Sequence, residues 1–177
     1  MQPMRSGNAS VLELTIRPGL LADEPAVLAL FDEAVGWLAG RGLVGQWGEQ
    51  PFSTRPEMRT LVQQTLRRDE VRIAEHDGAV VGVLAAGASP PYVPGNPTPE
   101  LYVTLLLSAR RLAGNRIGAR LLELASEIAR ERGALALRVD CWADSPALVR
   151  YYECQGFVRD GRFDLNGWRG QILSRQI

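Results

Sequence analysis

Apolar residues along the chain recur with two periods, two and about 3.6, and the switches between them mark out the elements. Val11–Arg17 alternates Val, Glu, Leu, Thr and Ile and predicts a strand, while the polar residues 1–10 predict a flexible N-terminus ahead of a domain spanning 11–177. Asp23 is placed to cap a helix with Val27, Leu28, Phe31, Ala34, Val35 and Leu38 on one stripe, ended by Gly40 and Gly42. Leu43–Ser53 has no clear period and predicts a loop. Pro56–Arg68 then predicts a helix with Met58, Leu61, Val62 and Leu66 inward and Thr54 as its cap. Val71–Glu75 and Ala79–Ala88 flank His76-Asp77-Gly78, a hairpin signal.

The proline-rich segment Ser89–Pro99 excludes regular structure, and a strand over Glu100–Leu107 follows it. After a linker, Ser108–Asn115, the apolar residues Ile117, Leu121, Leu124, Ala125 and Ile128 fit a helix over Arg116–Arg132, stopped by Gly133. Ala134–Trp142 predicts a strand. Ser145 and Pro146 open a helix ending near Gln155 and Gly156. Phe157–Leu165 and Trp168–Arg175 pair across Asn166-Gly167. The order β-α-α-β-β-β-α-β-α-β-β predicts a single α/β domain with a mixed sheet rather than an even alternation.

Composition narrows the chemistry. The 177 residues carry 20 Lys+Arg against 20 Asp+Glu, and every one of the basic residues is Arg. Zero net charge argues against a nucleic-acid binder, whose affinity comes largely from phosphate neutralisation. The absence of lysine removes Schiff-base catalysis. Two cysteines and one histidine do not make a structural zinc site, so no metal is expected, and so few thiols point to a reducing compartment. No stretch reaches the ~20 apolar residues that span a bilayer. A cytoplasmic protein with no membrane contact is the expectation.

The chemistry-bearing segment runs from Glu100 to Leu124. A strand leads through Arg110-Arg111-Leu112-Ala113-Gly114-Asn115-Arg116-Ile117-Gly118 into an amphipathic helix. Unpaired amides and the dipole at a helix start attract anions, and the glycines admit close approach. Read alone, the segment fits a phosphate cradle or a glycine-rich connection with a helix–helix contact. It is neither a P-loop nor a dinucleotide fingerprint, since it lacks Gly-Lys-Ser/Thr and the three-glycine spacing. A second constellation, Ser145–Phe157, holds Tyr152 in Tyr-Glu-Cys-Gln-Gly-Phe near a helix end.

Together, the cradle, the tyrosine motif and the element order resemble the GNAT superfamily of N-acetyltransferases over about Glu100–Phe157, and the final hairpin fits as well. The resemblance implies a mostly antiparallel sheet of about seven strands flanked by about four helices. It also implies transfer of an acetyl group from acetyl-CoA to a primary amine by direct attack, with a homodimer as a family-level expectation. The family pattern Gln/Arg-x-x-Gly-x-Gly/Ala aligns with Ala113-Gly114-Asn115-Arg116-Ile117-Gly118; Ala113 and Arg116 depart from it and Gly118 matches. Cofactor contacts are implied for Leu106, Leu107, Ser108, Arg111, Ala113, Gly114, Asn115, Arg116, Ile117, Gly118, Ala119 and Ser145, Ser145 standing where many members carry Asn.

Tyr152 matches the family's general acid, a phenol of pKa about 10 that can protonate a departing thiolate. Tyr102 aligns with the position of a base carboxylate in some members, and Glu100, on the same strand face, is the candidate base through water. Gln46, Trp47, Phe52 and Tyr92 are candidate acceptor contacts. Tyr151, about 100° around the helix from Tyr152, is expected to pack elsewhere. The alternative reading is an acyl-CoA-binding sensor or interaction module without catalysis.

Overall fold

The computed structural model describes residues 12–177. Its elements are β1 (Thr15–Pro18), α1 (Glu24–Ala39), α2 (Pro56–Arg68), β2 (Glu70–His76), β3 (Ala79–Gly87), β4 (Glu100–Ser108), α3 (Ile117–Glu131), β5 (Ala136–Trp142), α4 (Pro146–Cys154), β6 (Val158–Leu165) and β7 (Trp168–Gln176). The order is the expected one; the N-terminus over 1–10 and the strand start at Val11 lie outside the described residues. Both hairpins turn where the sequence asks. Asp77 and Gly78 have φ of 49° and 74°, and Asn166 and Gly167 of 52° and 85°, the left-handed pairs that match strand twist.

Two expected caps differ. Thr54 Oγ1 donates to the Pro51 carbonyl at 2.8 Å, and Arg55 precedes α2 instead. Asp23 does stand at the start of α1, but its carboxylate accepts from the Leu20 amide at 2.7 Å and from Arg17, so the charge is spent on the preceding turn rather than on the helix amides. Ser145 caps α4 as expected, accepting from the Leu148 amide at 3.4 Å.

One seven-stranded sheet runs β1-β2-β3-β4-β5-β7-β6, antiparallel except for β4 beside β5. The stripe of α1 buries Val27, Phe31 and Val35, while Leu121, Leu122 and Ala125 of α3 are wholly buried. Each of the buried Val, Leu and Phe side chains contributes roughly 1.5–3 kcal/mol, and Ala125 less. Leu61 of α2, expected inward, is 47% exposed and lines a groove.

The parallel pairing of β4 with β5 is short. It joins Glu100–Val103 to Ala136–Val139 and then stops. On its other side β4 pairs with β3, where Ala86 faces Val103 and Ala85 faces Leu105, so Thr104 is an extra residue in the strand. A bulge bends and twists its strand, and this one comes directly after the last parallel pair. Beyond it β4 runs on to Ser108 beside β3, and β5 runs on to Trp142 beside β7, with a cleft between them. Below the cleft, the Arg138 guanidinium, 3% exposed, is held between Glu100 Oε2 at 2.8 Å and Asp160 Oδ2 at 3.1 Å.

Candidate active site

The cleft opens into a cavity of about 880 Å³. One wall is the β4 edge over Thr104–Ser108, whose groups facing β5 have no strand partner. Backbone donors and acceptors left open inside a cleft are an invitation to an extended ligand that pairs like a strand. At the end of this edge stands α3. Gly114 (φ 91°) turns the chain, Arg116 takes a left-handed conformation (φ 57°, ψ 25°) at the cap position, and the first amides of α3 have no intrahelical partner. The left-handed region suits glycine, the residue the family pattern places here, so Arg116 keeps the backbone path of the motif at a steric cost of roughly 1–2 kcal/mol.

Gly118 serves a close approach, since a Cβ there would meet the Tyr151 hydroxyl at 2.3 Å.

The three linker arginines separate in role. Arg111 is tied to Glu33, through its amide at 2.9 Å and its guanidinium at 3.3 Å. Arg116 is exposed on the cavity rim and pairs with no carboxylate among the described residues. Arg110 lies with its guanidinium carbon 3.8 Å from the Trp37 ring centroid, and its Nε is buried without a partner. Burial, with Arg41 on the same indole, lowers its proton affinity. An anion in this cavity would relieve both conditions.

Tyr152 lies in the cavity wall with its ring buried. Its hydroxyl has no protein partner among the described residues and is not closed off from the cavity. Burial pushes the phenol well above its usual value, with Cys141, Tyr151 and Asp140 adding to the effect, so it stays protonated at neutral pH. Cys141 behind it is pushed up to about 12, again by burial, and is an inert thiol rather than a nucleophile. Tyr151 also lines the cavity, contrary to the expectation that it packs elsewhere.

Across the cleft, the buried Tyr102 hydroxyl donates to Asp140 Oδ1 at 2.6 Å. Asp140 lines the cavity; its second oxygen has no protein partner among the described residues and is open to the cleft. Burial raises the Asp140 pKa despite the Tyr102 bond, which lowers it.

The structure thus gathers Leu106, Leu107, Ser108, Ala113 and Gly114 around the cavity with Arg116, Ile117, Gly118, Ala119 and Tyr152. Gln46, Trp47, Phe52 and Tyr92 line it as well. It does not bring in Glu100, which is paired with Arg138 below the cleft, nor Arg111. Asn115 bonds the Leu112 carbonyl, and Ser145 is buried under its own cap. Tyr102 reaches the cleft through Asp140. Asp140 itself is the residue that sequence reasoning passed over. Its signal was a carboxylate two positions after Arg138 in an otherwise apolar strand.

Among the described residues this sheet parts between its one parallel pair of strands, beside the glycine-bearing start of a helix, an arrangement suited to an acyltransferase. Residues 37–157 match the acetyltransferase (GNAT) family, and the chain belongs to it. A ribosomal-protein-alanine N-acetyltransferase from Brucella melitensis is similar at 25% identity and TM-score 0.67, covering 92% of this chain and 99% of that one. A GCN5-related N-acetyltransferase from Rhodopseudomonas palustris shares 19% identity and TM-score 0.71 over 97% and 100%. The PaiA N-acetyltransferase from Thermoplasma acidophilum, solved with coenzyme A, shares 17% identity and TM-score 0.67 over 93% and 99%. No curated protein sequence shows significant similarity to the chain. Among the described residues, no helix is long and apolar enough to cross a membrane.

Proposed function

We propose that the chain transfers the acetyl group of acetyl-CoA to a primary amine by direct attack, with Asp140 taking the amine proton and Tyr152 protonating the sulfur. The observation that carries this reading is that one cavity holds an unpaired strand edge, the open start of α3, a protonated phenol and a carboxylate of raised pKa. The amides of α3, with Arg116 and Arg110, would hold the pyrophosphate, because unpaired N–H groups and uncompensated guanidinium charge both favour an anion there. The open groups of Thr104–Ser108 would pair with the pantetheine amides. Acetyl-CoA supplies a thioester whose carbonyl carbon accepts the amine.

In the transfer, the amine nitrogen forms a bond to the acetyl carbon and the carbon–sulfur bond breaks. The amine proton goes to Asp140, and the sulfur takes the Tyr152 proton; solvent resets both groups. An amine attacks only when neutral, and a carboxylate of raised pKa removes its proton more effectively than an ordinary one. An amide N–H of the β4 edge would meet the negative charge that develops on the carbonyl oxygen. No acyl-cysteine is needed, and the inert Cys141 agrees with that.

The test is calorimetry with acetyl-CoA followed by thiol release across a panel of amines. Binding with transfer that falls sharply in Tyr152→Phe supports the reading. Binding without transfer to any amine overturns it in favour of a non-catalytic acyl-CoA sensor.

A further inference from the structure

We propose that the acceptor is a primary amine carried on an apolar, aromatic-sized body with no second charged group. This rests on the acetyl-transfer reading and names the acceptor for the same site. The charged side chains lining the cavity are Arg110, Arg116 and Asp140. The two arginines stand at the α3 end, where the pyrophosphate is assigned. Asp140 stands at the other end, near Tyr92, whose phenol pKa is raised by burial and further by the Asp140 charge.

Much of the cavity wall is aromatic. Phe31 and Phe52 stack at 4.3 Å, Trp47 meets Phe31 edge-on at 5.4 Å, and Tyr92 and Trp168 flank Phe163 at 5.4 and 5.7 Å.

This wall is built in advance of any ligand. The loop that carries Trp47 is fixed to the ends of β5 and β7 at three points. Gln46 Oε1 accepts from the Trp142 amide at 2.9 Å, and Trp168 Nε1 donates to the Gly45 carbonyl at 2.9 Å. The Trp142 indole lies so close to Gly45 that a Cβ there would fall 2.1 Å from it. Small-molecule sites of this kind, apolar walls around a few polar groups, select by shape and by what they leave unpaired.

A second charge on the acceptor finds no partner. A groove of about 960 Å³ continues past Tyr92 and Thr104 and is lined by Asp69, Glu70 and Glu100, which at first resembles a path for a polycation. Each of those carboxylates is already taken. Asp69 bonds Thr104 and Arg68, Glu70 bonds Arg72 and Arg132, and Glu100 bonds Arg138. An added ammonium therefore meets only carboxylates that already hold a guanidinium or a hydroxyl, and an added carboxylate would face Asp140 itself. Either costs far more than it returns.

The experiment compares kcat/KM at saturating acetyl-CoA for 2-phenylethylamine, ethylamine, spermidine and phenylalanine. Filling an apolar pocket discriminates by about 10–200-fold per group of contacts, so 2-phenylethylamine is expected to exceed each of the others by at least about 100-fold. Trp47→Ala is expected to lose about tenfold more with 2-phenylethylamine than with ethylamine. Tyr92→Ala, on the 45% exposed side of the wall, gives the same comparison where Trp47→Ala does not fold. Spermidine or phenylalanine used as well as 2-phenylethylamine overturns the acceptor class while leaving acetyl transfer standing. Equal losses with both amines in the variants also overturn the acceptor class. Transfer to none of the four, with transfer to another amine of the wider panel, overturns the acceptor class alone, and transfer to no amine of that panel overturns acetyl transfer with it.

Discussion

The Tyr102 hydroxyl holds Asp140 Oδ1 at 2.6 Å, across the line where β4 and β5 separate. Tyr102 sits beside Arg138 in the register, so its ring reaches two residues further along β5 to the first carboxylate beyond the paired region. One oxygen is thereby anchored and the other left for an incoming amine. Asp140→Asn keeps the shape and the acceptor for Tyr102 but removes the base. Its kcat/KM is expected to fall by about 10²–10⁴ with acetyl-CoA affinity unchanged, as read by steady-state kinetics and calorimetry.

The same carboxylate makes stability depend on pH. Burial raises the folded pKa of Asp140 above its unfolded value, so in the window between the two the folded state binds more protons. The favourable contribution is complete below the unfolded value, near ~3.9, and is lost as pH rises through the raised folded value. Asp140→Asn, which never ionises, is therefore expected to melt higher than the wild type at pH 7 and no higher at pH 3. The acidic limb of kcat/KM should lie above the ordinary carboxylate range for the same reason. Thermal melts across pH, with and without the substitution, check both.

Tyr152→Phe removes the hydroxyl and leaves the packed ring, which meets Phe157 edge-on at 5.7 Å. Stability and acetyl-CoA affinity should hold within ~1 kcal/mol, while turnover drops by about 10²–10⁴. The loss should shrink with acetyl donors whose leaving thiol is more acidic, since these need less protonation. Equal losses with both donors would count against Tyr152 as the acid.

Arg116 offers a test of a residue used against its conformational preference. Arg116→Gly relieves left-handed strain of roughly 1–2 kcal/mol and adds unfolded-chain entropy of roughly 0.5–1 kcal/mol, so melting should stay level or rise slightly. Arg116→Val, β-branched, should melt lower than either. If the guanidinium meets the pyrophosphate, Arg116→Gly raises the acetyl-CoA Kd by about tenfold. Calorimetry on the folded variants reads that difference.

Glu100→Gln separates a structural carboxylate from a catalytic one. Arg138 is almost wholly buried and depends on Glu100 and on the more exposed Asp160. Weakening one side of a buried pair should cost about 1–3 kcal/mol in stability while the acidic limb of the pH–rate profile stays in place. A shifted limb would return Glu100 to the mechanism.

What could be read from the sequence was local. Asp77-Gly78, Asn166-Gly167 and Ser145-Pro146 fix backbone geometry within a few residues, and the turns and the cap formed where they stand. The period-two argument that put Glu100 and Tyr102 on one face also holds, since both reach β5. Which β5 residue each one meets was not legible. That depends on a register set across 38 residues and on where the pairing ends, which the bulge at Thr104 decides. Hence the tyrosine of the pair stood out and its aspartate did not. Tyr151 was misplaced because a rotation about one helix says nothing of a cavity that extends on both sides of it; the small residue at Gly118 on α3 is what lets its ring in.

The parting of β4 from β5 reverses the usual ranking of a sheet's amides. Central strands ordinarily surrender their hydrogens to solvent last. Here the β4 amides that point into the gap beyond Val103 have no neighbour to hold them, and in deuterated buffer they should exchange earlier than the paired amides of β2 and β3 on either side of the hairpin. A ligand lying along that edge finishes the unclosed seam, so the middle of the molecule gains protection only once it is occupied.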